Sequence, residues 1–386
     1  LKIDIIAAAL PPQLDGIGDY TANLASQLAQ TEEIRILTEE GRTHDDIPGV
    51  TIEGAFLVSE PRTVLRLLER IEARRPDWVL LQYNPFSYGR RGINPYLPWM
   101  LHSLRRRCPA TRIAVMVHEP YAWTDTWRLA LMSAWHRAQL WMLGRAADVL
   151  FFSIEPWALK FRSWFPKTPL WHLPVGSNIP LVEIDRAEAR RRLGIEDGTM
   201  VIGVFGTAHP SRMLYRVRSA VEEACRAGWS VLILHLGPDA DLVRLQMRNL
   251  PLRADGPLPA EEVSRRFAAM DVHLIPFADG VSTRRTSLMT SLQHGVPTVA
   301  TVGFWTDQIL KDANEQALLL AGTQDQERFH QYTLRCLQDP ALRESLGAGA
   351  RRLYEQNFSW QVIGQQLLTR LTEHSRSAAG SAKRLV

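Results

Sequence analysis

The chain has 386 residues, 46% hydrophobic and 22% charged, with 45 Lys and Arg against 41 Asp and Glu. A single core rarely grows past about 250–300 residues, so the length predicts two domains, and the composition excludes a disordered chain. The net charge of +4 is too small to argue for nucleic-acid binding, but it suits anionic substrates such as nucleotide diphosphates or a weak attraction to an anionic membrane surface. Cys108, Cys225 and Cys336 lie far apart and form no CxxC pair, which argues against a zinc site or redox pair and fits a reducing cytosol. No stretch approaches about 18 uninterrupted apolar residues, and the opening "LKIDIIAAAL" reads as a buried strand. The expected location is cytoplasmic, with peripheral contact at the inner face of a membrane as an option.

Short apolar runs alternate with amphipathic stretches, the sequence form of βαβ units and a parallel sheet. In the first half the spacing predicts strands at 2–8, 34–37, 78–82, 112–117 and 149–153, with helices at 18–30 and 61–74. "LPVGSNIP" reads as the last strand of a first domain running into a linker. A second series follows, with strands at 200–205, 230–236, 272–276, 298–300 and 317–320 and helices at 214–227, 260–270, 287–293 and 325–338. The amphipathic stretch 359–371 and a small, polar, basic tail that is expected to fray close the chain.

Four strand-end segments carry the chemistry. In "LPPQLDGIGDYTANLASQLA", Gly16 and Gly18 precede a helix with Asp19 near its start; glycines let a ligand approach the backbone, and a helix N-terminus favours an anion. The full dinucleotide fingerprint needs a third Gly in register and an acidic residue at the end of the second strand, and the sequence shows neither clearly. "VMVHEPYAW" places His118 and Glu119 just past a buried strand, where doubly wound sheets form their ligand crevice. "VIGVFGTAHPSRM" gives a strand, Gly206, and a loop with Arg212, a cation placed to neutralise a diphosphate. In "IPFADGVSTRRTSLMTSLQHGVPTVAT", a loop with Asp279, Ser282, Thr283, Arg284 and Arg285 leads to a helix starting at Thr286 or Ser287; hydroxyls, guanidiniums and a helix start together suit a diphosphate and its sugar.

Two further stretches bear on an acceptor. "FSYGRRGINPYLPWMLHSLRRR" and the residues before it bring Tyr83, Tyr88, Arg90 and Arg91 near a strand end, able to stack on a sugar or bind an anion. "TWRLALMSAWHRAQLWMLGRAADVL" spaces Trp127, Leu131 and Trp135 along one helical face, with Trp141 beyond and Arg128, His136, Arg137 and Arg145 interspersed; such a helix can lie on a membrane interface or simply be a buried helix with polar edges.

Taken in order, these segments resemble the GT-B glycosyltransferases, in particular the retaining family 4 group, and the resemblance covers nearly the whole chain. It implies an α/β fold of two Rossmann-like, doubly wound parallel-sheet domains facing a central cleft. The boundaries would be 1–175 for the acceptor side, 176–358 for the nucleotide-sugar side, a helix at about 359–374 returning to the first domain, and a tail over 375–386. It implies a UDP- or GDP-sugar donor, a glycan, lipid-linked or small-molecule acceptor, retention at the anomeric carbon, and no metal or other cofactor. Gly16 and Gly18 would approach the donor phosphates or the acceptor, His118 the transferring sugar, and Arg212 the diphosphate. The family's preceding Arg falls on Thr207, leaving that contact to Arg284 or Arg285. Registration on "HGVP" puts the family's two glutamates at Ser282 and Thr290; Thr290 would bond a ribose hydroxyl without charge, and Asp279 is the candidate replacement for the first acid. The missing acidic pair opens an alternative, a GT-B-fold binding or partner subunit without catalysis. A weaker one is an epimerase or phosphorylase, although the second domain offers a pyridoxal cofactor only Lys311, with Lys383 in the tail.

Overall fold

In the computed structural model, residues 1–122 and 127–383 are described, with side chains at all of these but 127, 128 and 377–383. The chain divides into two compact units, Leu1–Pro174 with Ile363–Val386, and Val175–Val362.

Unit 1 holds seven strands: β1 (Lys2–Ile6), β2 (Glu33–Glu39), β3 (Val50–Phe56), β4 (Trp78–Tyr83), β5 (Arg112–Val117), β6 (Val149–Phe152) and β7 (Leu170–His172). All pair in parallel, in the order β3-β2-β1-β4-β5-β6-β7. Parallel strands are covered on both faces, so the central ones read as continuous apolar runs: every residue of β4 is buried. Asp4 of β1 breaks that rule and is fully buried. Its carboxylate is held by Arg35, at 2.6 and 3.1 Å, and by Arg74, so the buried charge is paired.

Unit 2 repeats the plan with six parallel strands: β8 (Met200–Phe205), β9 (Val231–Leu236), β10 (Leu252–Ala254), β11 (Val272–Ile275), β12 (Thr298–Val302) and β13 (Leu319–Gly322), in the order β10-β9-β8-β11-β12-β13. Period-two alternation sends β8 side chains to opposite cores. Met200, Ile202 and Val204 pack with Val217 and Val221 of the Leu214–Arg226 helix, whereas Val201 packs with Val263 and Phe267 beneath the Ala260–Phe267 helix.

The structure adds elements to those read from the sequence. Strands β3, β7 and β10 are edge strands, and two of them are only three residues long, so neither length nor burial marks them. "LPVGSNIP" is irregular, the strand before it ending at His172. The Pro340–Asn357 helix is capped by Asp339, whose carboxylate accepts from Leu342 N at 3.0 Å. The Trp360–Lys383 helix runs on through most of the tail that was expected to fray.

Gly18 fixes how the first helix meets β1. A Cβ there would stand 2.9 Å from the carbonyl oxygen of Ala9, a backbone atom with little freedom to retreat. Gly18→Ala is expected to destabilise unit 1 by about 1–3 kcal/mol, the usual range for overpacking, measured as a lowered denaturant midpoint with an unchanged slope.

Candidate functional site

In an open parallel sheet, ligands bind beyond the strand C-termini where the strand order reverses. In unit 2 that point lies between β8 and β11. The loops after β8 and β9 meet there backbone to backbone: Gly237 (φ 151°) has room for no side chain, since a Cβ would sit 2.5 Å from the carbonyl oxygen of Gly206. Beyond Gly206, His209 and Ser211 bond each other at 2.8 Å on the outside of the loop. Arg212 turns inward. Its backbone bridges to Phe277, past the end of β11, and its guanidinium is buried, with Nη2 donating to the carbonyl of Phe205 at 2.7 Å. Nε and Nη1 have no hydrogen-bond partner among the described residues. Burial, and then the charge of Arg285, pushes the Arg212 pKa down to about 9, so the group remains a cation at neutral pH.

Arg285 joins it on the same ring, its guanidinium 3.9 Å from the centroid of Phe277 and that of Arg212 5.0 Å. Arg284 and Arg285 both donate to Asp279, at 3.0 and 3.1 Å. Asp279 is therefore the counter-ion of two arginines, which departs from its expected part as an acid or sugar contact. Arg285 is also the N-cap of the Thr286–His294 helix and gives it no side-chain cap, leaving the first turn, with Thr286 and Ser287, to an outside anion. Thr283 N donates to the buried carboxylate of Asp307 at 2.7 Å, which fixes the loop. Ser282 is fully buried and its hydroxyl has no partner among the described residues. Thr290 is a correction: it is buried, and its hydroxyl donates to Thr286 O at 2.9 Å and lies 3.2 Å from Ser177 Oγ, so it is spent inside the unit and does not reach for a ribose.

In unit 1 the order reverses between β1 and β4. Asp15 caps the Gly16–Leu28 helix, one carboxylate oxygen accepting from Ile17 N at 2.9 Å and Gly18 N at 2.6 Å. That N-terminus already holds an anion, so Gly16 and Gly18 do not form the phosphate cradle expected of them. Burial, then the charge of Asp15, raises Asp19 to about 6. His118, just past β5, is buried; its Nε2 lies 2.7 Å from Gln82 Oε1, and its ring meets Tyr20 edge to face at 4.7 Å. Burial lowers its pKa to about 3, so it is neutral and donates to Gln82. Glu119 beside it is half-buried and Arg90 is exposed. Tyr83 and Tyr88, expected to meet an acceptor, are core residues instead. The Tyr83 hydroxyl accepts from Gln139 at 3.2 Å, and the Tyr88 hydroxyl donates to the backbone around Gln82 at 2.7 Å.

Sequence reasoning did not single out Gln82, Phe277 or Asp307, nor three buried histidines of unit 2. His273 Nε2 accepts from Phe205 N at 3.2 Å, tying β11 to β8; His235 is the penultimate residue of β9; His294 bonds Ser264 at 2.8 Å. The signal for Gln82, His235 and His273 was a lone polar residue inside an apolar strand. A cavity of about 1130 Å³ also opens in unit 2, but beside Asp271 and Pro297, which precede β11 and β12. It lies at the strand N-terminal edge, away from Arg212, and the switch-point geometry is the stronger indicator of the site.

Burial depresses His118 and His273 to about 3 and His235 and His294 to about 4. Unfolding lets each bind a proton below about pH 6.5, so their contribution to stability is complete above that pH and is lost as pH falls toward the folded values. The urea midpoint is expected to fall from pH 7 to pH 4.5, and His118→Gln to show a shallower fall; parallel curves for both proteins would contradict the assignment.

No protein-family model matches the chain. It is 22% identical over 396 residues to a GDP-mannose-dependent monoacylated alpha-(1-6)-phosphatidylinositol monomannoside mannosyltransferase of Corynebacterium glutamicum, covering 97% of this chain and 99% of that protein. Sucrose-phosphate synthase from Thermosynechococcus elongatus superimposes with a TM-score of 0.73 at 16% identity, covering 97% and 99% of the two chains. Anabaena HepE in complex with UDP and glucose gives 0.72 at 12% identity, covering 96% and 99%. The solved structures show that the chain has the GT-B fold of two parallel-sheet α/β units.

Proposed function

We propose that the protein is a glycosyltransferase that draws a sugar from a nucleoside-diphosphate donor bound at the unit 2 switch point. The observation that carries this is Arg212, a buried guanidinium with two unpartnered nitrogens and no carboxylate paired to it among the described residues. A buried cation without a partner is costly, and an anionic ligand supplies the missing charge and acceptors. Arg285, paired with Asp279, shares the Phe277 ring with Arg212, and the uncapped helix start at Thr286 adds backbone N–H groups beside them. Charge builds on the diphosphate as the glycosidic bond breaks, so fixed cations and helix N–H groups there stabilise the transition state more than the ground state. These arginines take the part a metal has in other transferases. Retention at the anomeric carbon is part of the proposal, with the leaving phosphate taking the acceptor proton and no side chain acting as covalent nucleophile. The inactive reading rests only on Ser282 and Thr290, and the similar proteins, named as transferases or synthases, give it no support. The relative is named for GDP-mannose and HepE was solved with UDP, so both bases are candidates.

We place the acceptor on unit 1 and include peripheral contact with an anionic membrane, where a lipid-linked acceptor would reside. The Tyr96–Arg107 and Trp127–Ala146 helices pack together and contain no Asp or Glu. Tyr96, Trp99, Leu131 and Trp141 are exposed on them, with Arg105, Arg106, Arg107, Arg137 and Arg145 exposed around. Trp135, expected in this stripe, is half-buried and donates to Gln139 at 3.2 Å; Trp127 and Arg128 lie outside the described side chains. No described helix is long and apolar enough to cross a membrane. Trp99→Ala with Trp141→Ala is expected to lower co-sedimentation with anionic vesicles at least fivefold, and zwitterionic vesicles to bind neither protein.

A thermal-shift series with UDP, GDP, ADP and dTDP tests the donor site, and at least one is expected to stabilise the protein. Arg212→Met removes the unpaired charge at similar volume. It is expected to raise the stability of the ligand-free protein by about 1–4 kcal/mol while abolishing the nucleotide shift and cutting turnover at least tenfold. His118→Ala is expected to cut turnover at least tenfold with the nucleotide shift retained. A nucleotide shift that survives Arg212→Met would sink the donor assignment.

A further inference from the structure

His235, the penultimate residue of β9, stands opposite Val204 of β8 and is 1% exposed. Period-two alternation puts it on the face of Val231 and Ile233, which pack in the core with Val217 and Val221 of the Leu214–Arg226 helix. An apolar residue would complete that face without leaving a polar atom to satisfy. His235 instead brings two ring nitrogens, and Nδ1 is buried with no hydrogen-bond partner among the described residues. A neutral imidazole has one N–H and one lone pair, so either tautomer leaves Nδ1 unmet. Such a group in a folded core calls for a partner from outside the chain.

The neighbours of the ring define that partner. Burial is the main reason the ring is neutral, and the Gly206 backbone works against it, favouring the proton as an acceptor carbonyl does. Three charges face the ring. Arg212, from the loop after β8, opposes the proton; Asp239, from the loop after β9, favours it; Arg244, on the Ala240–Gln246 helix, opposes it. Arg244 is committed to Asp241 at 2.7 Å and to Ala254 O at 2.6 Å, and one Asp239 oxygen accepts from Ala208 N at 2.7 Å. Arg212 keeps Nε and Nη1 unpartnered among the described residues. It also shares a neighbour with His235. A Cβ on Gly206 (φ 104°) would lie 3.2 Å from Arg212 Nη2, and the same glycine backbone meets the His235 ring. Being a glycine, it puts no side chain between the two. His273 is the other buried histidine that the charge of Arg212 reaches, but both its nitrogens are occupied: Nε2 accepts from Phe205 N at 3.2 Å, and Nδ1 is bonded to Ser291 Oγ.

An imidazolium carries two N–H groups and needs two acceptors. Gly206 offers one. A phosphate resting on Arg212 offers the other, and its negative charge offsets the guanidinium that keeps the proton away. We propose that His235 is a second phosphate-binding residue of the unit 2 site, and that its ring takes a proton from solvent as the diphosphate docks and returns it when the diphosphate leaves. The inference rests on the donor site proposed above and says how that site meets the ligand's charge. Because the protonated ring belongs to the complex and the neutral ring to the free protein, binding strengthens as pH falls and weakens as pH rises through the ring's range in the complex.

Calorimetric titration of the full chain at pH 6.5, in buffers of different ionisation heat, counts the protons taken up. The probes are UDP-glucose, GDP-mannose, ADP-glucose and dTDP-glucose, whose phosphates have no second proton to release near neutrality. With whichever binds, uptake of roughly one proton is expected, and the affinity is expected to fall at least fivefold from pH 6 to pH 8. His235→Gln, which cannot take the proton, is expected to bind at least fivefold more weakly at pH 6.5, with no uptake and a flat pH dependence. His209→Gln, on the outside of the loop after β8, is expected to keep the uptake. Unfolding midpoints show whether both variants fold, and nitrogen NMR of the imidazole rings reads the same event in the unsubstituted protein, as one ring gaining a proton on saturation. Binding without proton uptake, or uptake that survives His235→Gln, would overturn the role of His235 and leave the donor site standing. Binding of none of the four probes would overturn the donor site, and the part of His235 with it.

Discussion

The site in unit 2 is organised around one electrostatic debt, the positive charge of Arg212 held out of water with no counter-ion among the described residues. Folding would normally either expose such a group or give it a carboxylate. Here the surrounding structure prevents both. The bridge to Phe277 locks its backbone, Phe205 O holds one nitrogen, and Asp279 is already shared by Arg284 and Arg285. Packing of Gly206 against Gly237 keeps the loop close enough to hold this arrangement. The unit stores an unfavourable interaction at the place where a charged ligand would relieve it.

Both units have the same strand order around their first strand, and both place their chemistry where that order reverses. The contents differ in sign. In unit 2 the reversal point is lined by guanidiniums and an uncapped helix start. In unit 1 the helix start is capped by Asp15, and Glu39 stands beside it. The same topology thus presents cations at its reversal point in one unit and carboxylates in the other, and the difference is made by a few side chains on loops that the sheet positions rigidly.

Much of this was legible in the sequence, because buried parallel strands write themselves as apolar runs: β5 and β8 fall where the pattern puts them, and most other strands lie within a residue or two. Arg212, Arg284 and Arg285 were legible too, as cations in strand-end loops. What escaped were partnerships between residues distant in the chain. Nothing local says that Asp307 holds the Thr283 amide, or that His118 spends its ring on Gln82. Residue type was also read without direction. Tyr83 and Tyr88 are the right kind of residue for a sugar platform, but their hydroxyls point into the core. Asp15 was overlooked beside Gly16 and Gly18, although an Asp just before a helix is the ordinary N-cap and removes the anion site that the glycines suggested.

The replacement of the family's acidic pair by Ser282 and Thr290 takes on a different sense against this geometry. A glutamate at 282 would be fully buried beside Arg284 and Arg285, and would compete with Asp279 for them or reach Arg212 and neutralise it. With Ser282 there, its hydroxyl unpartnered, the charge of Arg212 stays uncompensated until a ligand arrives. At 290 the threonine turns its hydroxyl back to the helix and to Ser177, so it anchors the Thr286–His294 helix against the segment that enters unit 2. On the proposed reading, with no acid at either position, donor recognition rests on the diphosphate more than on the ribose and sugar. Binding of that kind depends less on which base or sugar is attached and more on the charge of the phosphates, which is the group on which transition-state charge accumulates.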